Sequence, residues 1–107
     1  MLSNEELLNE WTIYGIGHTI GKKGPEYGEI LFDEQSQGKA RITLERCKNF
    51  FAVTCGIYGL MLHTAYCEEI EAMEKYREMK LDISRFLYLE HSDEELETFC
   101  EEFCNKY

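Results

Sequence analysis

Helix-breaking residues are scarce in the second half of this 107-residue chain. Its single proline is Pro25, and none of its eight glycines comes after Gly59. Residues 67–107 are instead rich in Glu, Met, Leu and Lys, which favour the helical conformation. We therefore expect helices over 67–90 and 93–105. The apolar stripe of the first of these is interrupted near Asp82, where a bend or a break is allowed.

Long apolar runs and basic residues are also few. No stretch approaches the roughly 20 apolar residues that a membrane span needs. The N-terminal segment MLSNEELLNE lacks the basic flank and apolar run of a secretion signal. With 11 basic and 21 acidic side chains the net charge is −10, a field that repels nucleic-acid phosphates and anionic lipid and attracts basic proteins. We expect a cytoplasmic protein with neither a nucleic-acid nor a membrane partner.

The glycine-rich segment 11–28 lacks the phosphate-binding motifs that its glycines suggest. A dinucleotide fingerprint needs G-x-G-x-x-G, but position 20 is Ile. A P-loop needs Ser or Thr after its lysine, whereas Lys23 follows Lys22 here. We interpret these glycines as turns and bulges between strands. The basic cluster of His18, Lys22 and Lys23 is either a solvated loop or a contact to an acidic ligand.

Alternation of apolar and polar residues predicts strands in the first 66 residues. It is clearest where Ala40, Ile42 and Leu44 alternate with polar neighbours. Turn residues separate most of these segments, and short connections favour an antiparallel meander. A capping-box pattern, Ser3 followed by Glu6, predicts a short helix over 4–10. The predicted strands cover 11–20, 28–34, 39–46, 50–57 and 60–66.

Together these elements predict a single α+β domain over residues 1–107. It consists of a short N-terminal helix, an antiparallel meander of about four to five strands, and two C-terminal helices packed on one sheet face. Residues 1–66 hold 8 acidic and 6 basic side chains, whereas residues 67–107 hold 13 acidic and 5 basic ones. The sheet half is therefore nearly neutral and the helical half is strongly acidic.

Cysteine and histidine supply the candidate chemistry. The five cysteines are an odd number without a secretion signal, so we expect reduced thiols. A thiol enzyme would use Cys55 as nucleophile and His18 or His63 as base. A zinc site would lack the short cysteine knuckle typical of such sites, and its four ligands would be His63, Cys67, Cys100 and Cys104. We favour packed thiols over either alternative, and expect no cofactor and no catalytic group.

The aromatic residues of the sheet half suggest contact with a partner. The segment 50–58 is apolar on both faces, and two helices can cover only one of them. Either the first helix and loop cover the rest, or a partner does. Interfaces favour tyrosine and tryptophan. The candidate partner-binding residues are Trp11, Tyr14, Tyr27 and Tyr58, with Glu94, Glu97 and Glu101 on the acidic last helix.

These patterns favour a small acidic, non-catalytic protein-binding domain. It would inhibit a basic partner in the manner of an immunity protein or antitoxin, since opposite charge speeds association. One alternative is a homo-oligomeric domain with a regulatory role. Another is a small zinc or thiol protein that uses the cysteines and histidines named above.

Overall fold

The computed structural model describes residues 2–107, which form three α-helices and one five-stranded sheet. The predicted α+β class and order of elements are confirmed. The elements are α1 (Asn4–Leu8), β1 (Trp11–Ile13), β2 (Glu29–Ser36), β3 (Ala40–Arg46), β4 (Phe51–Ile57), β5 (Met61–Cys67), α2 (Glu69–Tyr88) and α3 (Asp93–Lys106).

The sheet is an antiparallel meander in which each strand pairs with the next one along the chain. In the centre of the sheet Leu44 lies opposite Val53, and Val53 lies opposite Ala65. Residues paired in this way share a face, and their neighbours along each strand point to the opposite face. The register therefore divides the sheet into a face that meets the helices and a second face.

The core lies between the first of these faces and the two C-terminal helices. Tyr76, Met79 and Ile83 follow at helical spacing on α2, and each is at most 2% exposed. Phe103 of α3 is 3% exposed and belongs to the same cluster. The strand residues buried in this cluster include Ala40, Ile42, Leu44, Val53, Cys55, Ile57 and Ala65.

The capping box predicted at Ser3 is present, and a second one begins α3 at Ser92. Ser3 and Ser92 each accept a hydrogen bond from the backbone N–H three residues on, and Glu6 and Glu95 reach back to the cap. α2 runs from Glu69 to Tyr88 without a break. None of the helices in residues 2–107 is both long enough and apolar enough to cross a membrane.

Contacts with other elements explain why polar residues interrupt the apolar stripe of α2. Asp82 accepts hydrogen bonds from Lys106 and Tyr107 at the end of α3, at 2.8 and 2.5 Å. Lys80 pairs with Glu34 of β2 at 2.7 Å. These polar residues face neighbouring elements at the edge of the core, so the helix continues through them.

The prediction of a strand over 11–20 is wrong beyond Ile13. Gly15 and Ile16 take left-handed φ angles of 55° and 52°, which end the extended conformation. Both residues lie within a short 3₁₀-type turn over Tyr14–Gly17, whose backbone is irregular for that reason. The segment 14–28, which we call the anchored loop, then crosses to the face of the sheet turned away from α2 and α3, here called the outer face.

The N-terminal helix does not cover the outer face. α1 packs against α2, with Leu7 buried and Arg85 donating to the side chain of Asn4 at 2.8 Å. The outer face is therefore covered in part by the anchored loop, and the rest of it is open.

Candidate functional site

The anchored loop is held by a buried carboxylate of β3. Glu45 is 0% exposed and lies on the outer face. Its side chain accepts hydrogen bonds from the backbone N–H groups of Gly28, at 2.9 Å, and Glu26, at 3.0 Å. A Cβ atom at Gly24 would lie 2.8 Å from the same carboxylate. Glycine there allows the loop backbone to approach Glu45 closely.

A second buried carboxylate anchors the other end of the loop. Asp33 of β2 is 1% exposed and accepts a hydrogen bond from Thr19 at 2.8 Å. It also forms a two-point ion pair with Arg41, at 2.9 and 2.7 Å. Hydrogen bonding to Asp33 raises the pKa of the Arg41 guanidinium further above its usual value. The carboxylate is thus satisfied, as a buried charge must be.

Sequence reasoning missed both carboxylates. Asp33 and Glu45 continue the polar positions of their strands, and the pattern therefore places them on a solvated face. No local pattern marks them, because Glu45 lies 17 residues along the chain from Gly28, whose N–H it accepts. Their burial depends on the loop folding back over β2 and β3, where its backbone N–H groups need acceptors.

Trp11 lies in the core, which removes it from the partner-binding candidates. Its side chain is 5% exposed, and its Nε1 donates to Ser84 of α2 at 2.6 Å. Tyr14 is half-buried, with the guanidinium of Arg41 3.6 Å from its ring centroid. Both residues therefore contribute to the packing of the protein itself.

The other two aromatic candidates are exposed at separate places. Tyr27 is 81% exposed, in the anchored loop, and Lys23 lies 5.7 Å from its ring centroid. Tyr58 is 54% exposed, in the turn between β4 and β5. Of the four predicted aromatic residues, Trp11 is thus buried away from any exposed surface, whereas Tyr27 and Tyr58 are open to a partner.

Glu94, Glu97 and Glu101 do share a surface. They follow at i, i+3 and i+7 on α3, on the side opposite to Phe103, and all three are exposed. Twelve of the thirteen acidic side chains in 67–107 are exposed, and within residues 2–107 only Glu95 of these twelve has an ion-pair partner, His91.

The basic residues of the helical half are mostly occupied elsewhere. Lys80 pairs with Glu34 of β2, and Arg85 and Lys106 both pair with Asp82. Among residues 2–107 they leave Glu94, Glu97 and Glu101 of α3 without an ion-pair partner. The α3 face formed by Glu94, Glu97 and Glu101, here called the acidic face, therefore carries an uncompensated negative charge.

The four ligands of the hypothetical zinc site, His63, Cys67, Cys100 and Cys104, do not come together around one point in residues 2–107. Among residues 2–107 no three His, Cys, Asp or Glu side chains are grouped so that they could hold a metal ion. His63 packs edge-on against Phe103, with the ring centroids 6.1 Å apart. The Nε2 atom of His63 is buried and has no hydrogen-bond partner in the described part of the chain.

Cys55 belongs to the core and is a poor nucleophile. It lies opposite His63 in the sheet register. The two residues of the hypothetical Cys–His pair are therefore neighbours on adjacent strands. The thiol is only 1% exposed, and burial raises its pKa to about 12. It is therefore protonated at neutral pH, whereas the thiolate is the reactive form.

The edge strand β5 is the remaining distinctive surface. Its sequence, MLHTAYC, contains no charged residue and no proline, and on its side away from β4 it pairs with no other strand of residues 2–107. Leu62 and Tyr66 of β5 are 80% and 59% exposed. Edge strands usually carry charge, proline or a bulge that prevents further pairing, and β5 lacks the first two.

No family model, curated protein or solved structure matches the chain. The function must therefore be inferred from the residues themselves. The acidic face of α3 and the edge of β5 are the two surfaces that bear on it.

Proposed function

We propose that this protein is a small, non-catalytic cytoplasmic domain that binds and inhibits a basic protein partner, as immunity proteins and antitoxins do. The observation that supports this proposal is the acidic face: Glu94, Glu97 and Glu101 are exposed on one side of α3 and have no intramolecular cation within residues 2–107. Such a face attracts a partner that carries lysine and arginine.

Charge of this kind acts mainly on the rate of encounter. Complementary potentials raise association rates well above those of neutral surfaces, which is what an inhibitor of a damaging protein requires. Exposed charges are screened over about 8 Å at physiological ionic strength. Binding through the acidic face should therefore weaken steeply as salt is added.

The raised pKa values of the cysteines support a binding role over thiol catalysis. Burial raises the pKa of Cys55, the one cysteine placed opposite a histidine. Burial also raises the pKa values of Cys47, Cys67 and Cys100. Each shift reduces the thiolate fraction at neutral pH.

The test is capture of the partner from a lysate of the source cells, at low and at high salt, with identification by mass spectrometry. The bait proteins are the wild type, Glu97→Gln/Glu101→Gln, and the control Glu74→Gln/Glu78→Gln. Both variants lose two exposed glutamates at i, i+4 spacing, so they change the net charge equally. They differ only in the helix that carries the change.

We expect one basic protein, bound in a 1:1 ratio, that leaves at high salt. The α3 variant should retain much less of it than the α2 control does. Equal retention by wild type and the α3 variant would contradict the acidic face as the binding surface. Equal loss from both variants would indicate a general charge effect and would also contradict it.

A second candidate function is self-association through β5. The uncharged edge of this strand and the 80% exposure of Leu62 favour it, because an unpaired strand can extend its sheet into that of a second copy. Sedimentation equilibrium should then show a dimer that persists in high salt. Leu62→Lys should dissociate it, whereas Ile16→Lys, at a 95% exposed site in the anchored loop, should not.

A further inference from the structure

The outer face contains a groove beside the anchored loop. It has a volume of about 590 Å³, within the range of roughly 300–1,000 Å³ of small-molecule sites. One wall is the loop at Lys22, Lys23 and Pro25, and the other is the turn between β4 and β5 at Tyr58. Gly56 lies between these walls, and its lack of a side chain leaves the groove open.

The charge of the groove is opposite to that of the protein. Lys22, Lys23 and Arg41 line it, and no acidic side chain does, although acidic residues outnumber basic ones 21 to 11 in the chain. The charge of Arg41 is compensated by its ion pair with the buried Asp33. Neither Lys22 nor Lys23 forms an ion pair within residues 2–107. The groove therefore has two uncompensated cations at its rim.

The backbone around these lysines is fixed. The carbonyl of Lys22 accepts a hydrogen bond from the N–H of Ile30 at 2.9 Å, and Gly21 donates to the carbonyl of Ile30 at 2.8 Å. The backbone of Lys23 also forms an isolated antiparallel β-bridge with that of Glu29. With the Asp33 and Glu45 anchors on either side, the loop is ordered before any ligand arrives, which reduces the entropy lost on binding.

The rest of the groove is largely apolar. Leu62 projects from the outer face beside Pro25 and Tyr58, and the buried Ile30 lines the groove at its base. Leu62 is 80% exposed, so a ligand with an apolar body would remove it from water. Thr54 provides a hydroxyl within the same groove, where it already bonds Thr64 at 3.0 Å.

We propose that this groove binds a small amphipathic carboxylate, with the carboxylate near Lys22 and Lys23 and an aromatic or aliphatic body on Leu62 and Ile30. The two cations account for the preference for an anion, and the apolar wall for the preference for an organic body. This site lies apart from α3, so it does not depend on the partner proposed above.

The test is an NMR titration of the isotope-labelled protein with 2-naphthylacetate, followed through backbone amide shifts. Two matched probes separate the contributions: 2-naphthylacetamide keeps the ring and lacks the charge, and acetate keeps the charge and lacks the ring. We expect saturable shifts concentrated at 19–25 and 54–62. The carboxylate should bind more tightly than either matched probe.

Variants assign the contacts. Lys22→Gln/Lys23→Gln should weaken binding of 2-naphthylacetate by roughly 2- to 25-fold, because each exposed charge pair contributes a factor of up to about 5. The control Lys39→Gln/Lys48→Gln removes two exposed lysines outside the groove and should change the affinity less than the groove variant does. Leu62→Ser should weaken the naphthyl ligand and leave acetate unchanged.

Several results would overturn the proposal. These are the absence of saturable shifts, shifts centred outside 19–25 and 54–62, equal affinity for the acid and its amide, or equal loss in the two lysine variants. Because all four lysines are exposed, the variants should keep the fold, and the amide spectrum itself reports whether they do.

Discussion

At the scale of single residues, the two carboxylates beneath the anchored loop connect the sheet to the surface that the loop forms. We expect Glu45→Ala to lower the free energy of unfolding by about 2 to 4 kcal/mol. The substitution removes the carboxyl oxygens that accept from two backbone N–H groups and leaves that of Gly28 buried without a partner. Urea unfolding followed by circular dichroism measures the change.

The matched control for this prediction is Glu29→Ala. Glu29 is an exposed neighbour that pairs with an equally exposed Arg46, and such surface pairs contribute about 0–1 kcal/mol. Similar losses of stability in the two variants would show that burial of Glu45 is not what makes its hydrogen bonds important.

Tyr76 should make the fold sensitive to alkaline pH. Burial, and then the hydrogen bond that it donates to Glu34 at 2.7 Å, raise its pKa well above the usual tyrosine value of about 10. Above about pH 10 the unfolded phenol loses its proton while the folded one keeps it. The contribution of Tyr76 to the free energy of unfolding should therefore be fully present below pH 10. It should fall by about 1.4 kcal/mol per pH unit as the pH rises toward the folded pKa.

We expect Tyr76→Phe to be about 1 to 2 kcal/mol less stable than wild type near pH 8, because it lacks the hydrogen bond to a charged acceptor. Above pH 10 its stability should fall less steeply than that of wild type. Denaturant unfolding at a series of pH values measures both slopes. Tyr27→Phe, at an 81% exposed site, should match wild type throughout, and parallel slopes for Tyr76→Phe and wild type would contradict the prediction.

At the scale of secondary-structure elements, the capping box of α3 determines where the acidic face begins. Ser92→Ala removes the side-chain oxygen that accepts from the N–H of Glu95 at 3.2 Å, and should lower the free energy of unfolding by about 1 kcal/mol. Ser92→Asp keeps an acceptor at this position and should stay close to wild type. Thermal unfolding of both variants distinguishes a capping effect from a general effect of the substitution.

Most elements could be predicted because their signals are local. Capping boxes, helical spacing and alternation depend on residues within one or two turns or along one strand, and the order of helices and strands followed from them. The strand after Trp11 was predicted wrongly because Ile16 adopts a left-handed conformation, φ 52°, which its own sequence does not favour. Contacts of the loop with β2 and β3 hold it there.

The site was less predictable because much of it depends on contacts between residues that are distant in sequence. Glu94, Glu97 and Glu101 were found as an exposed face because helical spacing alone places them together. The burial of Asp33 and Glu45 depends on a register between strands and on a loop that returns over them, neither of which is visible in a short window. The burial of Trp11 could not be predicted either, because the hydrogen-bond partner of its indole N–H, Ser84, lies 73 residues away.

At the scale of the whole molecule, the uncompensated charge should make stability depend on salt. At neutral pH and low salt the exposed carboxylates repel one another, and added salt screens that repulsion. We expect the free energy of unfolding to rise with salt. Glu97→Gln/Glu101→Gln should raise it at low salt by a few tenths of a kcal/mol, since like charges at i, i+4 destabilise a helix by about that amount.

The same variant should gain less from added salt than wild type does. Glu29→Gln provides the opposite case, because it breaks an ion pair with Arg46 and should not gain stability at low salt. A stability that stays constant from low to high salt would contradict a role for repulsion in this fold.

The order of the strands also has a consequence for synthesis. Their order in space is their order along the chain, so each strand after β1 leaves the ribosome beside a partner that already exists. From β2 onward, pairing needs only short loops to close. The two helices that cover the core face come last. A chain that stops before Glu69 would therefore be a sheet with one bare apolar side, and we expect such fragments to be held by chaperones or degraded until the last 39 residues arrive.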